Sequence, residues 1–265
     1  MSVFGTFLEE SYSLINERDY IKEFALAYED VCNALEYDNE FITEGKLDDI
    51  KAKIIYLVDK AINAIKNFIL KIKRKIVECV SKLPKNSAVA KQDVKVISPR
   101  QAVFVAINAF PSIYGSGDDF DVDKIKTAEE EIKDRIKQLK NEEAVVVHKK
   151  EGTNVTGYYL YVTRIKKGDG IDVFNNLKDN YTKALNMLEK HVKDFSKLKK
   201  ELATLSKDNL TAEENLPSSI AMQYAKRMIN PILQLDREVY NIILNNLVKA
   251  TSAYIGKGSK PEDNK

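Results

Sequence analysis

Ten apolar residues at steps of three and four constrain this chain more than any other feature. Ile50, Ile54, Val58, Ile62, Ile65, Ile69, Ile72, Ile76, Val80 and Leu83 follow one another at that spacing. The pattern predicts a single amphipathic helix over 46–83. Pro84 ends it, because proline lacks the N–H and clashes with the preceding turn. At ~1.5 Å per residue such a helix is about 55 Å long. No folded state can leave so long an apolar stripe in water, so it must lie against other elements.

Further periodic runs supply those elements. Tyr20, Phe24, Tyr28, Val31 and Leu35 make one stripe, and Ile125, Ala128, Ile132, Ile136 and Leu139 make another. From Phe174 a heptad runs with two seams. One is Phe174, Tyr181, Leu188, Phe195 and Leu202; the other is Leu177, Ala184, His191, Leu198 and Leu205. More than four heptads predict coiled-coil-like packing, with self-association through the 174–205 seam as one outcome. A last helix is expected over 218–255, kinked by Pro231 and paired antiparallel with the helix before it. Residues 85–97 read as a polar linker, and Ser98-Pro99 as the N-cap and first-turn proline of a short helix. The run AVVVHKKEGTNVTGYYLYVTRIKK predicts a β-hairpin, two β-branched and aromatic arms around a Gly/Asn turn. The fold class is therefore mainly α: long amphipathic helices, a helical hairpin and one small β-hairpin. In domain terms, 1–44 is an acidic segment, 45–84 a basic amphipathic helix, 98–169 a small α+β region, 170–256 the helical hairpin and 257–265 a tail.

No catalytic pattern is present. There is no phosphate-binding loop, no dinucleotide fingerprint and no nucleophile elbow. The two histidines, His148 and His191, have no metal-ligand partner at the required spacing. DFDVDK at 119–124 lacks the remainder of a calcium loop and reads as acids at a helix N-terminus. Cys32 and Cys79 occupy apolar helical positions and read as small core residues in a reducing setting. A non-enzymatic protein without cofactor or metal is expected. No apolar run approaches the ~20 residues that span a bilayer, and the N-terminus lacks the pattern of a secretory signal.

Charge is where the chain is unusual. The formal net charge is only +2, yet residues 1–44 hold 11 acidic and 2 basic residues, a net of −9. The remaining 221 carry 40 basic and 29 acidic residues, a net of +11. On the long helix, Lys60, Lys66, Lys71, Lys73, Arg74 and Lys75 follow one another with no acid between Asp59 and Glu78. Such a face is either the solvated exterior of a core helix, a surface for phosphate backbones, or a membrane-surface helix with its apolar side in the interface. No base-reading motif accompanies it, so a nucleic-acid contact would be electrostatic and non-specific, to double-stranded DNA. An acidic arm joined to a cationic body is expected to screen it.

The sign changes at Ile42-Thr43-Glu44-Gly45. This step resembles the cleavage sites of the prohead proteases of T-even-type tailed bacteriophages, in which a branched residue, any residue and Glu precede the cut. Ile42 takes the branched position, Glu44 precedes the cut and Gly45 becomes the new N-terminus. An acidic leader, a Glu-Gly junction and a basic amphipathic helix together resemble the internal head and core proteins of such phages. The resemblance covers about residues 36–80. It implies trimming by the prohead protease, co-assembly with capsid or scaffold proteins, and a place in the virion interior beside packaged DNA. Leu8-Glu9-Glu10, Ile15-Asn16-Glu17 and Ile76-Val77-Glu78 show the same short pattern without the following Gly. The alternative is a membrane-active or host-targeted protein whose basic helix is masked by the acidic arm.

Overall fold

A computed structural model describes residues 22, 24–30, 32–33, 44–84, 88–99, 122–140, 160–203 and 217–255. Among them the chain is mostly helical, with one two-stranded antiparallel sheet. Helix α1 covers described positions between 22 and 33. It is followed by α2 (Glu44–Lys82), β1 (Val94–Pro99), α3 (Val122–Lys140), β2 (Leu160–Ile165), α4 (Ile171–Ala203) and α5 (Pro217–Ile255). The chain divides into two compact units. The first holds residues 1–66, 110–130 and 191–233, the second 67–109, 131–190 and 234–265. Each of the four long helices contributes a part to each unit.

In the first unit the stripe of α2 is sealed: Ile50, Ile54, Val58, Ile62 and Ile65 are buried. Ile125 of α3, His191, Phe195, Leu198 and Leu202 of α4 and Tyr224, Met228, Ile229 and Ile232 of α5 are buried as well. His191 and Leu198 are seam positions, as the heptad predicts. Pro231, expected to kink α5, lies inside the helix and does not end it. From the acidic arm, Phe24 is buried at 3% exposure, and the Tyr28 hydroxyl donates to the Lys226 carbonyl. Tyr20, Val31 and Leu35 lie outside the described residues.

In the second unit the α2 stripe continues through Ile69 and Ile72. It then departs from expectation: Ile76 is half-buried, Val80 is exposed and Cys79 is buried instead. At 100° per residue Ile76 and Val80 stand at the same angles as the buried Val58 and Ile62, so their exposure reflects what covers the end of the helix and not a drift of the stripe. Phe174, Leu177, Tyr181, Ala184 and Leu188 of α4 are buried, as are Leu235, Val239, Ile243 and Leu247 of α5. The Tyr254 hydroxyl donates to the Gly170 carbonyl at 2.8 Å, and its ring meets Phe174 edge-on at 6.1 Å. The end of α5 thus lies against the start of α4, as an antiparallel pair requires. The described seam positions of α4 are buried within the chain, and Leu205 lies outside the described residues.

The small antiparallel sheet is present as expected, with a strand the sequence reading did not name, and it corrects one expectation. β2 pairs with β1 in the register Val94↔Ile165 to Pro99↔Leu160. The partner of the 160–165 run is therefore a segment some sixty positions upstream in the numbering. The other arm of the expected hairpin, 144–150, lies outside the described residues. Ser98 and Pro99 do not open a helix; they pair with Tyr161 and Leu160 at the end of the strand. Proline is tolerated at a strand end because no central ladder bond is lost.

Nor is 88–97 a linker. Lys91 N–H donates to the Ala253 carbonyl at 2.7 Å, Lys91 Nζ to Ile255 O at 3.0 Å and Gln92 Nε2 to Ser252 O at 3.2 Å. These bonds satisfy carbonyls that the last turn of α5 leaves without intrahelical partners. The Lys166–Gly170 turn is stitched to the same segment. Ala90 N–H donates to Asp169 O at 2.9 Å and Gly168 N–H to Ala90 O at 2.8 Å. Gly168 has φ +94°, a conformation that side chains disfavour. Asp169 accepts from its own turn, Lys166 N–H to Oδ2 at 2.7 Å.

Ile97 carries the most consequential contact. Its N–H donates to Asn246 Oδ1 at 2.8 Å, and its carbonyl accepts the Tyr181 hydroxyl at 2.8 Å. Asn246 is buried and uses its amide nitrogen to reach Ile242 O at 2.8 Å. One side chain from α5 and one from α4 thus satisfy both backbone groups of Ile97.

Three expectations follow. Asn246→Ala leaves a buried N–H without an acceptor and lowers unfolding stability by about 2 kcal/mol, read by chemical denaturation; Tyr181→Phe costs about 1 kcal/mol by the same route. Phe24→Ala opens a cavity and costs about 3 kcal/mol; no change there would mean the acidic arm does not belong to this core. Burial pushes the Tyr28 and Tyr181 phenols above the ordinary tyrosine range. A raised acid favours the folded state below the unfolded value, about pH 10. That contribution fades as pH climbs past it, so stability should fall in strong alkali together with the rise of phenolate absorbance.

Candidate nucleic-acid interface

Burial of the inner stripe aims the opposite side of α2 outward, and the six cations named from the sequence divide by where they stand. Lys60 and Lys66 belong to the first unit, and Lys71, Lys73, Arg74 and Lys75 to the second. Lys66 and Arg74 are exposed. Lys60 stands over its own helix's Tyr56 ring at 5.2 Å from the centroid. Lys71 lies 6.0 Å from the Tyr240 ring, which stacks on Phe68 at 4.8 Å. Both ammonium groups therefore sit above aromatic faces, where the ring quadrupole attracts them.

Lys73 and Lys75 meet carboxylates. Lys73 Nζ lies 2.9 Å from Glu189 of α4, a pair exposed on both sides. Lys75 Nζ lies 2.9 Å from Glu78 Oε2, and Glu78 also accepts from Lys82. Those hydrogen bonds, Lys82 first, hold the Glu78 carboxyl below its usual range. Exposed pairs of this kind contribute little and exchange readily with solvent or another anion. Upstream, Asp59 accepts from Lys199 at 2.5 Å. The face is therefore cationic but partly countered by the chain's own acids. Glu78 was visible in the sequence at the three- and four-residue spacing that favours such pairs. Glu189 was not, because only the packing of α4 brings it there.

Two residues on this face escaped sequence reading. Leu70 and Val77 sit amid Lys66, Lys73 and Arg74, at 52% and 69% exposure. They lie off the inward stripe, so their alternation with the cations was the signal to follow.

At the sign change, Glu44 and Gly45 form the first positions of α2, whereas Ile42 and Thr43 lie outside the described residues. Arg227 and Glu129 pair at 3.0 Å in the unit that also holds Tyr28. Arg135 of α3 is buried, 3.5 Å from Glu131, and loss of hydration brings its guanidinium down to about 10. His148 lies outside the described residues. Among the described residues no group of three or more metal-ligating side chains is assembled, and no helix is long and apolar enough to cross a membrane. No family model, curated protein or solved structure matches the chain.

Proposed function

We propose that this protein is a non-enzymatic internal protein of a phage head, trimmed after Glu44 and associated with packaged double-stranded DNA through the outer face of α2. The observation that carries the DNA contact is a helix whose inner stripe is buried from Ile50 to Ile72 while Lys66, Lys73 and Arg74 stand exposed outside. Cations on the outer side of a helix neutralise phosphates and release condensed counterions without reading bases. The same burial weighs against the membrane reading, since insertion requires that apolar stripe to leave the core.

A leader held by Phe24 and Tyr28 contributes to the first unit, so cutting after Glu44 and releasing the arm entails a rearrangement of that unit. An arm that is cut but stays docked is equally compatible with the junction's place at the start of α2.

The full chain should bind duplex DNA regardless of sequence. With three phosphates neutralised, its affinity should fall about 40-fold for a fourfold rise in salt. Lys66→Gln with Arg74→Gln should shrink the salt slope by about two phosphates. Binding that ignores salt, or none at low salt, overturns the DNA contact. For trimming, the N-terminal residue of the protein from its native assembly is expected to be Gly45; finding Met1 intact there removes that half alone.

A further inference from the structure

We infer that the exposed face of α2 over residues 70–80 docks an acidic amphipathic helix of another protein. Leu70, Val77 and Val80 are exposed at 52%, 69% and 45%. Single exposed apolar side chains are ordinary on protein surfaces, but these three are in register. With Lys73 they read 70, 73, 77, 80, steps of three, four and three, all within the second unit. This is a second seam beside the buried one, with Leu70 and Val77 on the outward side of the helix, Val80 at its border with the inner stripe, and Arg74 beside it. The alternation of three and four is the spacing at which one helix presents side chains to another laid along it.

Charge decides the occupant. A duplex engages Lys73 and Arg74 but offers phosphates, not apolar surface, to Leu70 and Val77. A second copy in either orientation sets Lys73 beside Lys73 or Arg74 of the other helix, and like charges across a seam disfavour the pair. A helix with apolar residues on its contact stripe and Glu or Asp along the flanks covers Leu70, Val77 and Val80 and neutralises the cations together. Glu189 already demonstrates the second half at 2.9 Å from Lys73, and an exposed pair of this kind yields to a competing carboxylate at small cost. The inference goes beyond DNA binding, for it depends on the three apolar side chains that phosphates leave bare.

The test uses the full chain and a labelled synthetic peptide of about four heptads, Leu at the a and d positions and Glu at e and g, where mutual repulsion keeps it from pairing with itself. Fluorescence anisotropy at physiological salt measures its binding, with a duplex DNA measured in parallel. Leu70→Gln with Val77→Gln should weaken the peptide at least about tenfold and leave DNA unchanged. Both positions are exposed and glutamine suits a helix, so the variant folds. Lys73→Gln with Arg74→Gln should weaken both ligands. Val248→Gln, at another exposed apolar position, should weaken neither. Peptide affinity untouched by the Leu70/Val77 change, reduced equally by Val248→Gln, or absent in the unaltered chain overturns the inference. A peptide that binds with these sensitivities while DNA does not bind supports it and removes the DNA reading alone.

Discussion

A short β-ribbon among helices faces a difficulty that a helix never meets: each strand has one side whose N–H and C=O groups point away from its partner. Buried without partners, such groups cost more than most packing contacts return. At Ile97 the difficulty is resolved by Asn246 and Tyr181, which supply an acceptor and a donor where a third strand would otherwise lie. The arrangement fixes three elements at once, because β1 can sit in only one register against α4 and α5 if both bonds are to form. Ala90, Lys91 and Gln92 extend the same logic, lending their polar groups to the Gly168 turn and to the last carbonyls of α5. Position in this unit is set by a small number of directional bonds laid over a large non-directional core.

Helices were legible in the sequence for a local reason. Both the α2 stripe and the α4 heptads are patterns in consecutive residues, and an apolar face of that length has no alternative but burial. Strand pairing is not local. The 160–165 run showed its β character plainly, but its nearest β-like neighbour in sequence, 144–150, was the natural partner to name. The described partner, VKVISP, was obscured by Ser-Pro, which also reads as the start of a helix, and tertiary pairing overrode that local preference. At the candidate interface the cations were visible, as was the Glu78 pairing by spacing. What the sequence could not show was Glu189 or the exposure of Leu70 and Val77, since these depend on which side of α2 the other helices cover.

The acidic arm illustrates how far a count of charges reaches. A −9 segment beside a +11 remainder predicts attraction, and long-range attraction is indifferent to detail. The contacts that tie α1 to its unit are of another kind: a buried phenyl ring, and a phenol bonded to a backbone carbonyl. Net charge predicts only an attraction, while Phe24 and Tyr28 are the contacts the described part of the arm makes. The same division holds on α2, where Lys60 and Lys71 stand over aromatic rings and Lys73 and Lys75 face carboxylates.

The wide sequence separation of β1 and β2 bears on the order in which the chain assembles. Neither strand has a hydrogen-bonding partner nearby in sequence among the described residues, so the ribbon waits for a long loop to close, and closure entropy must be met before any ladder bond forms. Helices α2, α4 and α5 need no such wait, each being nucleated within its own span. The sheet is therefore expected to be a late event in folding, completed only after Asn246 and Tyr181 have been brought within reach by the helices that carry them.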